Sequence, residues 1–138
     1  MRFGLLPENG AAVVTSKGTI ETERGDITLV GKYKVITLCG STRFKNQFME
    51  VQKQLTLEGN IVISVGLFGH SGDSEVWENM DEGTLTATKV MLDDMHKAKI
   101  DMADEIFVIN VGGYIGDSTR SEIEYAQAHG KVVRYLEL

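Results

Sequence analysis

The sequence predicts an α/β protein: a three-layer parallel sheet of the Rossmann or flavodoxin type, with an N-terminal β arm or meander before it. Three observations carry this reading. From Lys34 onward, short apolar runs of strand length alternate with stretches of helical periodicity. The first three runs are followed closely by glycine, at Gly40, Gly66 and Gly112. The first thirty-odd residues follow a different, turn-rich pattern with no helical spacing.

The elements follow in order. Val35-Ile36-Thr37-Leu38-Cys39 is a buried strand ending at Gly40. Phe44, Phe48, Val51 and Leu55 recur at helical spacing, and Gly59 stands where that helix stops. Ile61-Val62-Ile63-Ser64-Val65 is a second strand. Residues 66–83 are polar and glycine-rich, too long for an ordinary connection, which marks a functional or mobile segment. Ala87, Val90, Met91, Met95, Ala98 and Met102 mark a second helix, and Ile106-Phe107-Val108-Ile109 a third strand before the Gly112-Gly113 loop. Ser118 or Thr119 is placed to cap a third helix ending near Gly130, and Val132 to Leu136 is a last strand. Before them, residues 11–15, 19–22 and 27–30 read as strands around turns at Ser16-Lys17-Gly18 and Arg24-Gly25-Asp26. The expected division is residues 1–32 as the arm and 33–138 as the α/β domain.

The net charge of −6 argues against a nucleic-acid polymer as partner, since that needs a basic patch. It does not argue against one small phosphate, which needs only local donors. No apolar run approaches membrane-spanning length and the N-terminus lacks a signal-peptide pattern, so no membrane partner is expected. Cys39 is the only cysteine, and no Cys/His cluster has zinc spacing. The expectations are a reducing, cytoplasmic setting, no metal and no cofactor.

Strand–helix alternation implies right-handed crossovers with helices on both faces, and such sheets bind ligands beyond the carboxyl ends of their strands. That selects residues 40–43, 66–83 and 110–121. In the first loop, Gly40 permits close backbone approach, Ser41 and Thr42 offer hydroxyls, and Arg43 can add a charge-assisted contact to a phosphate or carboxylate. The Gly-Lys-Ser/Thr ending of a P-loop is absent. Simple helix capping with a solvated Arg43 fits the same residues. In the third loop, Thr119 and Glu122 match a capping box, whose plain meaning is a helix start. The functional reading puts Glu122 in the first helical turn at the cleft mouth. There the helix dipole and nearby donors keep it ionised, and an ionised carboxylate is a competent nucleophile toward a sugar. Tyr125, Ala126 and His129 share its face by spacing.

Two further groups are weaker. On the second helix, Asp93, Asp94 and Asp101 read as a solvated face, and His96 is singled out as a packing or catalytic histidine. Phe68, His70, Asp73 and Trp77 in the long loop suit a lid that stacks on a base. They suit equally a loop pinned to the core by its aromatics.

Gly40-Ser41-Thr42-Arg43 after the first strand resembles the phosphate-side Gly-Ser-x-Arg turn of the 2′-deoxynucleoside 5′-phosphate N-hydrolases, within the nucleoside 2-deoxyribosyltransferase superfamily. Ala103-Asp104 before an apolar strand resembles that family's Ala-Asp segment. Glu122-Ile123-Glu124-Tyr125-Ala126 resembles its nucleophile segment. The three matches occur in family order over roughly residues 34–136. The resemblance implies cleavage or transfer of the N-glycosidic bond of a (deoxy)nucleoside or its 5′-monophosphate, with Glu122 as nucleophile. Asp104 and His96 join it as catalytic candidates. Gly40, Ser41, Thr42, Arg43, His70, Asp117, Ser118 and Tyr125 are the candidates for substrate binding. It also implies a small-molecule partner and a homodimer or larger homo-oligomer, in which the N-terminal arm could take part. The sequence departs from the family pattern at Glu124, where a glycine is usual, at His96, where an Asp often stands, and in the spacing of Asp117. These departures make a non-catalytic nucleotide-binding module of the same fold the alternative. A ribonucleotide hydrolase is a third possibility.

Overall fold

A computed structural model describes residues 30–138 in full and, before them, the backbone of residues 13–14, 19–22 and 25–28. Strands β1 (Val13–Val14), β2 (Thr19–Thr22) and β3 (Gly25–Thr28) form a three-stranded antiparallel sheet in the order β1-β2-β3. This is the expected meander, with its last strand beginning earlier than the sequence suggested. Gly25 and Asp26, expected in a turn, pair with Thr22 and Glu21. The expected turn at Ser16-Lys17-Gly18 lies outside the described residues.

The rest is α/β. Strands β4 (Val35–Gly40), β5 (Ile61–Ile63), β6 (Glu105–Ile109) and β7 (Val132–Tyr135) pair in the order β5-β4-β6-β7, and every pairing is parallel. The chain first steps from β4 to β5 and then crosses back to place β6 on the other side of β4. Strand order therefore reverses between β4 and β6, and this switch point is where an open sheet offers a crevice.

Alternation along β4 divides the core into two layers. Ile36 and Leu38 join Phe107 and Ile109 on one face, where they meet Phe48, Val51 and Leu55 of helix α1 (Lys45–Leu57). Cys39 joins Ile106 and Val108 on the other, against Ile100 of helix α3 (Glu82–Asp101) and Ile123 and Ala126 of helix α4 (Asp117–Ala128). The three-layer arrangement follows from these two apolar faces on one sheet. The α1 stripe is the one read from sequence.

Helix α3 is a partial correction. It exists, and starts at Glu82, but the residues that marked it do not face the core. Val90, Met91, Met95 and Met102 are exposed, while His96 and Ile100 are buried. The buried stripe is less apolar than the exposed one, because its middle lines a cavity. Helix α4 is a second correction. It is capped by the Gly116 backbone with no side-chain cap, so neither Ser118 nor Thr119 caps it. Thr119 and Glu122 lie inside the helix and form no capping box. The long connection after β5 also contains a short helix, α2 (Glu75–Glu78), that no sequence pattern indicated. Among the described residues, no helix is long and apolar enough to cross a membrane.

Gly40 closes β4 against β6. A Cβ there would stand 3.0 Å from the Ile109 carbonyl oxygen, 3.1 Å from the Ile109 Cβ and 3.3 Å from Phe48 Cε2. Two of these are backbone or backbone-anchored atoms between paired strands, so the strands must part to admit a methyl group. Gly40→Ala is expected to cost about 1–3 kcal/mol, measured as a lowered midpoint of urea unfolding. An unchanged midpoint would show that the close approach does not constrain the sheet.

Candidate active site

Beyond the carboxyl ends of β4 and β5 lies a cavity of about 540 Å³, within the ordinary range for small-molecule sites. Gly40 and Thr42 bound it on the β4 side, Leu67, His70 and Trp77 on the side of the long loop, and His96 and Glu122 on the helical side.

Each wall has a local cause. Ser41 caps a single 3-10 turn at Thr42–Phe44, its Oγ 3.0 Å from Arg43 Nε, and the chain then enters α1. The long loop is tied down at several points. Phe68 enters the core edge-on to Phe48 at 5.5 Å, and Asp73 accepts a 2.8 Å hydrogen bond from the Phe68 amide. Ser71 donates to the Arg43 carbonyl at 2.9 Å, and Thr42 Oγ1 lies 2.5 Å from His70 Nδ1. Trp77 packs so tightly on Gly69 that a Cβ there would meet the indole nitrogen at 2.5 Å. The loop is thus a fixed wall joined to the β4 turn, with Phe68 as its anchor and Trp77 facing the cavity.

Glu122 is buried, 7% exposed, with Oε2 3.8 Å from Nε2 of the equally buried His96. His96 Nε2 is also 3.4 Å from Cys39 Sγ, and the His96 ring bonds to the Leu38 backbone. Its Nε2 thus faces both the thiol and the carboxyl. Burial, reinforced by the nearby Asp93 and opposed by Lys97, pushes the Glu122 carboxyl up from 4.5 to about 8. Burial and Lys99, opposed by Asp93 and by the Leu38 bond, take His96 down from 6.5 to about 4. At neutral pH both groups are uncharged, and the 3.8 Å approach is a contact between neutral groups rather than an ion pair. Burial and the Glu122 charge likewise push the Cys39 thiol up.

This corrects the expectation that Glu122 sits ionised in the first turn of its helix. The helix begins at Asp117, which puts Glu122 in the second turn, past the reach of the terminal dipole. Desolvation then decides its state.

No protein-family model matches the sequence, and no curated protein matches it at a significant level.

The structure brings Gly40, Thr42, His70, His96, Ser118 and Glu122 to one cavity. It does not bring the other candidates there. Arg43 is exposed, its guanidinium carbon 4.7 Å from the Tyr114 ring centre, and Ser41 is occupied in capping the same turn. Asp104 lies at the opposite edge of the sheet, where it accepts a 2.9 Å hydrogen bond from the Val35 amide at the start of β4. Asp117 is exposed at the start of α4. Tyr125 turns away, donating to Asp101 at 2.8 Å and stacking on His129 at 4.0 Å.

The sequence reading missed Asp93, Lys89 and Lys99, all of which line the cavity. Asp93 is exposed, as the solvated-face reading expects, and also borders the cavity. Its position three residues before His96 places both on one face of α3, the signal that could have found it. Lys99 Nζ is already engaged, donating to the Ser64 carbonyl at 2.9 Å.

The raised carboxyl has a stability consequence. Between pH 4.5 and about 8 the unfolded chain ionises at position 122 while the folded chain keeps the proton, so stability falls as pH rises. His96 acts in the opposite sense, between about 4 and 6.5. Above pH 6.5 the Glu122 effect stands alone. It should lower stability by about 2 kcal/mol up to pH 8, and Glu122→Gln should abolish that fall. Urea unfolding of both proteins at the two pH values tests it. Equal slopes in the two proteins would mean that the carboxyl ionises normally.

Proposed function

We propose that this protein cleaves or transfers the N-glycosidic bond of a nucleoside or nucleotide, with Glu122 as the nucleophile. The observation that carries the reading is the position of the Glu122 carboxyl. It is a buried carboxyl in the wall of a cavity of about 540 Å³, at the carboxyl end of a parallel sheet. The Gly40 turn bounds the same space and Trp77 supplies an aromatic face for a base.

In the proposed reaction a Glu122 oxygen bonds to C1′ of the sugar as the C1′–N bond breaks. The bonding pair leaves on the base nitrogen, which takes up a proton from water at the cavity mouth. Water or a second base then attacks C1′ and frees Glu122. Asp93 is a second acidic side chain on the same cavity. The resting carboxyl must first lose its proton. Transfer to His96 would run from a group near 8 to one near 4, uphill by about 5 kcal/mol. Loss to solvent through the cavity mouth is the less costly route, and it favours reaction at alkaline pH. The cavity-lining cations are Lys89 and Lys99, not Arg43. A phosphate would therefore meet Thr42, the backbone of its turn and Lys89, and Arg43 gives no support for preferring a phosphorylated substrate.

A binding module of the same fold is the second reading. The observation favouring it is the protonated resting state of Glu122, which suits a neutral hydrogen-bond donor to a ligand as well as it suits a nucleophile.

One experiment separates the two. The protein is incubated with deoxynucleosides and their 5′-monophosphates, and free base is measured by chromatography. The enzyme reading expects release that rises about tenfold per pH unit toward pH about 8. It also expects Glu122→Ala to lose on the order of 10⁴-fold in rate while still binding the nucleotide. Binding by the unmutated protein with no base released from any of them would support the module and overturn the enzyme.

A further inference from the structure

Cys39, His96 and Glu122 come from three separately anchored elements, β4, α3 and α4, and all three side chains are buried. Their donor atoms, a sulfur, an imidazole nitrogen and a carboxylate oxygen, lie within 4.8 Å of one another. Two of the separations are 3.4 Å, from Cys39 Sγ to His96 Nε2, and 3.8 Å, from His96 Nε2 to Glu122 Oε2. Around a tetrahedral zinc ion, with bonds of about 2.3 Å to sulfur and about 2.0–2.1 Å to nitrogen and oxygen, such donors stand roughly 3.3–3.6 Å apart. Both separations are close to that spacing, and the remaining one closes by a movement of about 1 Å in the Glu122 carboxylate.

One ring atom, His96 Nε2, is the nearest nitrogen to both other donors, so a single ion between the three would meet all of them. His96 and Glu122 also face the cavity, which would leave a fourth position open to water or ligand. Three protein donors and one open position make the pattern of exposed-site zinc, and a thiolate in the set selects zinc or cobalt over magnesium or calcium.

We propose that Cys39, His96 and Glu122 bind one zinc-class divalent ion, with its fourth coordination position open to the cavity. As the ion binds, the Cys39 thiol and the Glu122 carboxyl each give up a proton to solvent, and no electron changes hands. An ion held by the Glu122 oxygen also occupies the electron pair that attack on C1′ would need. Zinc should then inhibit the glycosidic reaction reversibly.

The test needs no nucleotide, so it stands or falls apart from the proposed reaction. The full chain is stripped with chelator, dialysed and titrated with Co²⁺ alone. Cys39 is the only cysteine, so a sulfur-to-cobalt charge-transfer band in the near ultraviolet reports this residue in the unmutated protein. The expected result is that band, together with intense visible bands of four-coordinate cobalt, saturating at one equivalent and bleached by Zn²⁺. His96→Gln should weaken cobalt binding by at least about tenfold, with far-ultraviolet circular dichroism reporting its fold. Absence of a charge-transfer band in the unmutated chain under excess Co²⁺ overturns the proposal. So does a band whose midpoint is the same in folded His96→Gln. Base release assayed in chelator reads the glycosidic reaction separately.

Discussion

The desolvation of one carboxyl governs the chemistry of this molecule. Glu122 is carried into the interior by a helix whose neighbouring residues, Ile123 and Ala126, are core. An isolated buried carboxylate would cost far more than a fold of this size can spare, so the group is held neutral. Its neighbour His96 is held neutral by the same burial, and Cys39 as a thiol. Three titratable side chains therefore meet at the strand ends without net charge, and two of them, His96 and Glu122, face the cavity. Any ligand or ion that enters changes the balance, because it brings either charge or further desolvation.

The parallel sheet makes this meeting possible. Reversal of strand order between β4 and β6 opens the crevice, and Gly40 lets the two strands stay in contact up to its floor. The loop after β5 then closes one side. It is fixed by Phe68 in the core, by Ser71 on the Arg43 carbonyl and by His70 beside Thr42.

Much of the fold could be read from sequence. The four parallel strands and α1 have separate signals: largely apolar runs for β4 and β6, and Phe48, Val51 and Leu55 at helical spacing. The failures have physical causes. In α3 the apolar residues Val90 and Met91 are exposed, and the part of the helix turned to the sheet is shared with the cavity, which His96, Lys99 and the edges of Asp93 and Met95 line. Periodicity alone assigns the wrong face to a helix that lines a site. In α4 the Thr119–Glu122 spacing mimics a cap, yet the helix starts earlier, and one further turn changes Glu122 from a terminal, dipole-stabilised anion to a buried acid. Asp104 lies one residue before β6, and that places it at the sheet's amino edge, away from the cavity. The Cys39–His96–Glu122 group was invisible as a metal pattern because Cys39 and His96 are 57 positions apart and meet only through the crossover.

Carbon-13 NMR of the glutamate side-chain carboxyls, recorded across pH on metal-free protein with Glu122→Gln to assign the resonance, tests the central claim most directly. The expected result is a single carboxyl titrating near pH 8, far above its ordinary 4.5. A Glu122 resonance that has finished titrating by pH 5 would contradict it. The carboxyl would then be an ordinary ion in contact with water, and the neutral, desolvated cluster described here would not exist.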